Sequence, residues 1–292
     1  MSSILLSVLS LWAKLPRPIL QLLGSGLGSL HHFANTRPAQ VTAANLSVCG
    51  QDADLRHESL RETGKTLLET PAIWLGTQDR LEDWFGEIRG ESLLRESVQS
   101  DRGLMVLLPH LGNWELFNVF YRRYGKMTAL YRPPRKAALD DVMRRVRGRH
   151  GNEMVPTDRR GIRRLYQVLE SGGTVVVLPD QVPANGQFVT FFGTAALTDE
   201  LAVRLQKKTA ARALMLSFLR RRDGRFDTHI LEPGESLYEG DRMSALTTLN
   251  STVEELVQLA PAQYQWEYKR FRERPKGAEK IYRFNKPAGY HD

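Results

Sequence analysis

Cysteine is almost missing from the sequence, because Cys49 is the one thiol among 292 residues. A lone thiol excludes a disulfide within the chain and a metal site built from several cysteines. So little cysteine is typical of proteins in reducing compartments, and we therefore expect this protein to face the cytosol.

Long apolar runs are missing as well. The amino-terminal segment reads SSILLSVLSLWAKLPRPILQLLGSGLGSL, and it is interrupted by Lys14, Pro16, Arg17 and Pro18. Neither half has the roughly 20 consecutive apolar residues of a membrane-spanning helix, and no basic region precedes the first half as it would in a secretory signal. We expect residues 1–30 to form two short helices that lie on a bilayer surface or dip into one leaflet, and packing on the protein's own core is the alternative.

Acidic residues are fewer than basic ones. Forty-one Lys and Arg residues stand against thirty-three Asp and Glu residues, which leaves a net charge of +8. This excess favours a negatively charged partner, such as nucleic acid, lipid headgroups or an acidic carrier protein. The chain is 41% hydrophobic, enough for a sizeable core, and no linker interrupts it. Residues 31–292 are therefore predicted to form one domain.

From Gly103 onward, short apolar runs alternate with charged amphipathic segments. The predicted strands are GLMVLLPH, MTALYRP, GTVVVLPD and ARALMLSFL, and helices are predicted after His110, Ala138, Asp158 and Thr198. This alternation indicates an α/β fold with a central, mostly parallel sheet flanked by helices.

Upstream of the sheet, residues 42–81 are predicted to be helical. Within them Leu60, Leu67, Leu68 and Ile73 recur at helical spacing near one face. The earlier stretch GSGLGS follows no strand, so we interpret it as a helix-packing segment and not as a phosphate-binding loop.

Two predicted strands end with a proline and a polar residue. The run LLPH ends at His110 and the run VLPD ends at Asp180. Ligands bind beyond the carboxyl ends of strands in such sheets, so both side chains should emerge at the same edge. On one regular helix His110 and Glu115 would point about 140° apart. If Gly112 and Asn113 form a turn, however, Glu115 in the first turn of the following helix can reach back to the imidazole.

A histidine with a carboxylate partner suits general-base chemistry on a hydroxyl. We therefore predict His110 and Glu115 to be catalytic, and a histidine that only caps a helix is the alternative. Covalent catalysis is disfavoured, because no Gly-x-Ser-x-Gly elbow follows a strand and Cys49 lies far upstream. A metal site is disfavoured because no second histidine lies near His110 at ligand spacing.

The segment HLGNWE at 110–115 resembles the H-x4-D/E motif of glycerolipid-type acyltransferases and, in this form, that of the late acyltransferases of lipid A biosynthesis. Three further blocks resemble the same family, in the same order: YRPPRKAALDDVMRRVRGRHG (131–151), LESGGTVVVLPDQVPANGQFVTFFGTAALT (169–198) and PAQYQWEYKRFRERP (261–275). The first motif alone is a weak signal, whereas the four blocks in series are a strong one. The segment PANGQFVTFFG is a variant of the family's glycine-plus-aromatic loop.

The resemblance implies a fold like that of glycerol-3-phosphate acyltransferases. It also implies transfer of a fatty acyl group from acyl carrier protein to the 3-hydroxyl of an acyl chain on a glucosamine disaccharide, at the cytoplasmic face of the inner membrane. No cofactor or metal is implied, because the thioester supplies the driving force. The residues that the resemblance implies in substrate binding are Arg132, Arg147, Arg149, Asp180 and Gln181.

Basic residues are concentrated in one part of the chain. Between Arg122 and Arg164 there are fourteen Lys and Arg residues against four acidic residues. Phosphates of the acceptor and the acidic face of a carrier protein would suit this charge, although most such residues form a solvated face. Arg147 and Arg149, with Arg132 behind them, are expected to hold anionic groups. Asp180 is expected to line the site and to hold one of these arginines, with a helix or turn cap as the alternative.

The last block interleaves aromatic and cationic side chains. Its aromatic residues are Tyr264, Trp266, Tyr268 and Phe271. Such a pattern is typical of a membrane interface and of a nucleic-acid groove. A basic nucleic-acid-binding protein is therefore the competing class, although no recognised nucleic-acid motif is present. Two further alternatives are an enzyme of the same family with another glycolipid or aminolipid acceptor, and a catalytically inactive membrane scaffold.

Overall fold

The computed structural model of the protein describes residue 7 and residues 9–133, 137–148 and 151–284. The helices are α1 (Arg17–Phe33), α2 (Arg37–Val48), α3 (Leu55–Leu75), α4 (Gln78–Glu82), α5 (Glu91–Gln99), α6 (Phe117–Tyr121), α7 (Ala137–Arg147), α8 (Arg159–Glu170), α9 (Leu201–Thr209) and α10 (Arg242–Leu259). The strands are β1 (Phe85–Arg89), β2 (Leu104–Leu107), β3 (Met127–Tyr131), β4 (Glu153–Pro156), β5 (Thr174–Val177), β6 (Gln187–Phe191), β7 (Thr194–Thr198), β8 (Arg212–Arg220) and β9 (Phe226–Leu231).

The central sheet has the strand order β1-β9-β8-β2-β5-β3-β4. Strand β2 pairs in parallel with β5 and β8, and β3 pairs in parallel with β4 and β5, while β8 and β9 pair antiparallel. Every residue of β2 and β5 is buried, which is why both read as continuous apolar runs and not as alternating ones. The predicted α/β fold with a mostly parallel sheet is confirmed.

The four predicted strands are β2, β3, β5 and β8, and the helices predicted between them are present. Five strands were not predicted. Two of them, β6 and β7, form a separate antiparallel hairpin from the segment PANGQFVTFFGTAALT. Its two-residue turn has positive φ at both Phe192 (46°) and Gly193 (75°), the backbone that suits the twist of a tight hairpin.

The helical run predicted at residues 42–81 is divided into α2, α3 and α4. Gly50, which follows the end of α2, has a φ of 61°, a backbone conformation that glycine adopts without strain. Of the leucines predicted near one face of this run, Leu60 is buried, but the side chain of Leu67 is 59% exposed. Instead α3 buries two acidic residues, Glu62 and Glu69.

Helix α1 packs closely along α3. A Cβ atom at Gly24 or Gly28 would collide with the backbone of α3, and one at Gly64 would collide with the backbone of α1. These glycines let the two helices approach backbone to backbone. The GSGLGS stretch therefore serves helix packing, as predicted.

The other side of α1 is apolar and exposed. Leu22, Leu30 and Phe33 are exposed by 72%, 63% and 76%, whereas Leu20 on the packed side is fully buried. The predicted boundary between residues 30 and 31 falls inside this helix. In the part of the chain that the structure describes, no helix is both long and apolar enough to cross a membrane.

The aromatic residues of the last block are mostly in the core. Tyr264, Trp266 and Phe271 are buried, and the Trp266 indole donates a hydrogen bond to the Pro261 carbonyl at 2.8 Å. Their predicted exposure at a membrane interface or a nucleic-acid groove is wrong, because these rings fill the space beside the sheet.

Candidate active site

The carboxyl ends of β2 and β5 bring His110 and Asp180 together. The two strands are neighbours, and Leu107 lies opposite Val177, so the residue three positions beyond each strand end is His110 on one and Asp180 on the other. The Asp180 carboxylate accepts one hydrogen bond from the His110 backbone N–H and one from Nδ1 of the ring, both at 2.8 Å. The expectation that these side chains share one edge of the sheet is confirmed.

The pairing fixes how the His110 ring is protonated. Burial of Asp180 opposes ionisation, but the charge of His110 and its two hydrogen bonds lower the pKa of the carboxyl below its ordinary value. An ionised carboxylate only accepts hydrogen bonds, so Nδ1 carries a proton. In the neutral ring Nε2 then keeps its lone pair, as a general base requires.

Gln181 occupies the position at Nε2. Its side-chain amide lies 3.1 Å from His110 Nε2 and donates to the Gln265 side-chain oxygen at 3.2 Å. The amide therefore stands where a substrate hydroxyl would have to be to give its proton to the ring. Gln181 was expected at the site from the sequence, whereas Gln265 was not.

The predicted hydrogen bond between Glu115 and the imidazole is wrong, because the carboxylate on the ring is Asp180. The turn after His110 carries Glu115 towards α3 and α7 instead. There Glu115 accepts from the Trp74 indole at 2.9 Å and from Arg147 at 3.2 Å. Asp180 was also expected to hold one of the three arginines, but Arg147 pairs with Glu115 instead.

Of the three arginines expected to bind substrate, Arg147 and Arg132 lie at the site. The Arg147 guanidinium lies over the rings of Trp114 and Tyr131, at 5.8 and 5.5 Å from their centroids. Arg132 is exposed at the rim of a cavity that Arg147 and Glu115 also line. Arg149 lies outside the described residues.

Residues 110–115, which we call the catalytic turn, pack against a buried network of charged side chains. This network was not predicted from the sequence. The Glu69 carboxylate on α3 accepts hydrogen bonds from Asn113 of the turn at 2.8 Å and from Arg220 of β8 at 2.5 Å. Arg220 also contacts Glu62. Two acidic residues seven positions apart, on a helix that packs on both sides, are the sequence signal for such a network.

The segment 263–267 is joined to the catalytic turn by main-chain hydrogen bonds. Gly112 N–H donates to the Gln263 carbonyl at 2.9 Å, and Gln265 N–H donates to the His110 carbonyl at 3.1 Å. Tyr264, between them, is buried, and both burial and the nearby Asp180 raise the pKa of its phenol. This part of the last block therefore belongs to the site.

Two cavities meet at His110 and Trp114. One has a volume of about 290 Å³ and an apolar lining at the ends of the central strands, which includes Leu108, Phe117, Met127, Ala129, Leu130, Met154, Val176 and Leu178. The other has a volume of about 260 Å³, and its lining includes the polar side chains that α3 and segment 263–267 contribute, beside Leu67 and Trp114. We call the two the apolar cavity and the polar cavity. Across the described ranges, no group of three or more His, Cys, Asp or Glu side chains is arranged to hold a metal ion.

A model of the bacterial lipid A biosynthesis acyltransferase family matches residues 1–273. The chain belongs to this family. The lipid A biosynthesis palmitoleoyltransferase of Escherichia coli (strain K12) is 29% identical over 287 residues, which cover 95% of this chain and 92% of the relative. The lipid A biosynthesis lauroyltransferase of the same organism is 26% identical over 288 residues, covering 95% and 93%. The solved 1-acyl-sn-glycerophosphate (LPA) acyltransferase of Thermotoga maritima matches with a TM-score of 0.37 and 17% identity, over 88% of this chain and 98% of that chain.

The family resemblance predicted from the four sequence blocks is thus confirmed, and the protein is an acyltransferase of lipid A biosynthesis. Within this lipid A acyltransferase, three of the polar side chains around His110 were not predicted. They are Gln265, Glu267 and Glu69, which come to the site from segment 263–267 and from α3.

Proposed function

We propose that the protein transfers a fatty acyl group from acyl carrier protein to a hydroxyl group of a lipid A precursor, with His110 as general base. The observation that carries the proposal is the His110 ring, whose Nδ1 is held by Asp180 and which lines both the apolar and the polar cavity. The ring is thus oriented to accept a proton beside a space that suits an acyl chain.

In the proposed reaction the acceptor hydroxyl displaces the Gln181 amide from Nε2. Its oxygen attacks the thioester carbonyl carbon as its proton passes to Nε2, and Asp180 stabilises the imidazolium that forms. The tetrahedral intermediate then collapses with cleavage of the carbon–sulfur bond. The departing thiolate takes the proton from Nε2, which returns His110 to its neutral form.

We assign the apolar cavity to the acyl chain of the donor. Most of its lining side chains are aliphatic or aromatic, as the burial of an alkyl chain requires. Arg132 at the rim supplies a positive charge for an anionic group of the carrier or of the acceptor. The net charge of +8 supports an acidic partner of this kind.

Glu115 is proposed to act through Arg147 and not through the imidazole. Its two hydrogen bonds, to Trp74 and Arg147, hold the guanidinium against the Trp114 ring beside His110. Arg147 and Arg149 are still proposed to bind an anionic group of the acceptor. Lysine at either position would keep the charge but lose the two-pronged hydrogen bonding of guanidinium, so acceptor use should weaken in both variants.

The exposed apolar side of α1 is proposed to lie on the cytoplasmic face of the inner membrane. At roughly 100° per residue its exposed apolar side chains fall within an arc of about 100° on one side of the helix. They are Ile19, Leu22, Leu23, Leu30 and Phe33. A helix with one apolar exposed face binds in the plane of a bilayer. The acceptor, which is a lipid, would then reach the site without leaving the membrane.

Acyl transfer in detergent tests the proposal. The purified protein, an acyl carrier protein thioester and a lipid A precursor should give a product whose mass exceeds that of the precursor by one acyl group. His110→Ala should reduce transfer by roughly 100-fold or more, the usual contribution of a general base, while its thermal unfolding stays near that of the wild type. Near-normal turnover by a folded His110→Ala protein would refute the mechanism.

A further inference from the structure

The polar cavity beside His110 has a lining that the proposed reaction does not use. Three threonines of α3 line it at spacings of three and four residues, namely Thr63, Thr66 and Thr70, and from the opposite wall it receives Glu267. The spacing places the three hydroxyls along one face of the helix.

The hydroxyl hydrogens of this row are already donated within the protein. Thr70 donates to the Thr66 carbonyl at 2.8 Å, Thr66 donates to the Gly112 carbonyl at 3.4 Å, and Thr63 donates to Glu267 Oε2 at 3.0 Å. Each hydroxyl has one hydrogen to give. The Thr66 hydroxyl oxygen also accepts from Arg220 at 3.2 Å. What Thr63, Thr70 and Glu267 still offer a ligand is therefore lone pairs, so the cavity favours a ligand that donates hydrogen bonds.

Glu267 is held firmly relative to His110. The preceding residues are bonded to the catalytic turn through the Gln265 N–H and the His110 carbonyl. The buried Asn45 side chain donates to the carbonyls of Trp266 and Tyr268 on either side of Glu267, at 2.6 and 2.7 Å. The carboxylate is thus fixed at the wall of the cavity and is not a mobile surface group.

We propose that this polar cavity binds the hydroxyl-bearing arm of the acceptor and that Glu267 accepts a hydrogen bond from an amide N–H on that arm. Glu267 would then be a specificity-determining residue that favours an acceptor chain joined through an amide over one joined through an ester. The inference rests on the proposed function and adds to it the class of acceptor.

The chemistry of the two substrates supports this assignment. The thioester group of the donor has only acceptor atoms, so it gains nothing from a wall of lone pairs and is repelled by a carboxylate. An amide N–H gains a further hydrogen bond to a charged group, whereas an ester oxygen at the same place offers the carboxylate no donor and adds a second acceptor beside it. Burial also raises the pKa of Glu267, because it disfavours the charged form of the carboxyl group. A hydrogen bond from the acceptor would stabilise that charged form.

The test compares two synthetic acceptors that differ in one atom. One is a phosphorylated glucosamine whose C2 nitrogen carries a 3-hydroxyacyl chain through an amide, and the other is the matching phosphorylated glucose whose C2 oxygen carries the same chain through an ester. Both are presented in detergent to the full chain with the same carrier thioester. The wild type should prefer the amide by about 10- to 100-fold in kcat/KM, because the hydrogen bond is made to a charged group. In Glu267→Leu this preference should disappear.

Two further variants separate this effect from a loss of folding. Glu267→Gln keeps the shape and one accepting oxygen, so it should fold normally and retain a reduced preference. Glu273→Gln removes a carboxylate from the exposed part of the same segment and should keep the full preference. The KM for the donor should be the same in all four proteins.

Four results would overturn the inference. Equal use of both acceptors by the wild type, or an unchanged preference in Glu267→Leu, would refute the role of Glu267 while leaving the proposed function intact. A rise in the donor KM alone would assign the cavity to the pantetheine arm of the donor. A wild-type protein that acylates neither compound nor a complete lipid A precursor would refute the proposed function, and the inference with it.

Discussion

Replacement of Asp180 by asparagine tests which carboxylate serves His110. The structure pairs the ring with Asp180, whereas the sequence motif predicted Glu115. Asparagine has the shape of aspartate but presents one accepting oxygen and one donating NH₂ group. The His110 backbone N–H needs an acceptor, and it takes the oxygen. The NH₂ group then faces Nδ1 across a contact of 2.8 Å, so the ring must place its lone pair at Nδ1 and its proton at Nε2.

A ring with its proton at Nε2 cannot accept one from the substrate hydroxyl. The loss should therefore approach the whole contribution of general-base catalysis, which is about 100- to 10,000-fold, or roughly 3–5 kcal/mol of barrier. A higher pH should not restore the rate, because the hydrogen bond to asparagine sets the tautomer.

Glu115→Gln is the matched control. This variant keeps the shape of the side chain but removes the charge that holds Arg147 at 3.2 Å. Both ring nitrogens of His110 keep their partners, so transfer should fall by about tenfold or less. That range corresponds to the loss of one partly buried ion pair, worth about 1 kcal/mol.

The assay is a single turnover with excess enzyme, in which the acylated acceptor is quantified by mass spectrometry and thioester hydrolysis is measured separately. Thermal unfolding of both variants shows whether the fold is intact. If Asp180→Asn retained transfer within fivefold of the wild type while Glu115→Gln lost 100-fold, the reasoning from the tautomer would be wrong and the carboxylate that serves His110 would be Glu115.

Four further predictions concern other parts of the molecule. Ala129→Phe, in the wall of the apolar cavity, should shift donor preference to a shorter chain in a competition among carrier thioesters, since each methylene left unburied costs about 0.8 kcal/mol. Burial raises the pKa of the Cys49 thiol from 9.0 to about 12, so roughly one thiol in ten thousand is ionised at pH 8 and iodoacetamide should label it only on unfolding. Arg220→Leu should cost about 3–5 kcal/mol in denaturant unfolding, because it leaves two buried carboxylates unpaired. Replacing Leu22 and Phe33 together by serine should let high salt release the protein from anionic vesicles while the unfolding temperature stays constant, and retention in 1 M salt would refute the role of α1.

Much of the sheet could be predicted from the sequence, because its central strands are buried on both faces. Four of the strands are continuous apolar runs that end at a proline or a polar residue. Strands β1 and β9 lie towards one edge, and their mixed burial leaves no clear run. The hairpin of β6 and β7 was missed because its turn uses a phenylalanine at positive φ, where asparagine or glycine is the usual signal.

The position of His110 and Asp180 was also predictable, because both follow a strand by the same number of residues. Their contact depends on β2 and β5 being neighbours in register, and strand order is a long-range property that no local pattern encodes. Glu115 was predicted as the partner of the His110 ring because it is close in sequence. The actual partner is close because its strand is a neighbour in the sheet. A residue 70 positions away is nearer to the ring.

The network around Glu69 explains why the amino-terminal segment and the active site cannot be treated as separate units. One carboxylate oxygen of Glu69 accepts from Gln21 of α1 at 2.8 Å, and the other accepts from Asn113 of the catalytic turn at 2.8 Å. Arg220 neutralises the carboxylate from β8. A side chain that is buried and charged keeps its position only while these partners remain. The helix with the exposed apolar face therefore supports, through a single carboxylate, the turn that carries His110. Removing it would take one hydrogen bond from that carboxylate as well as the face proposed to lie on a bilayer.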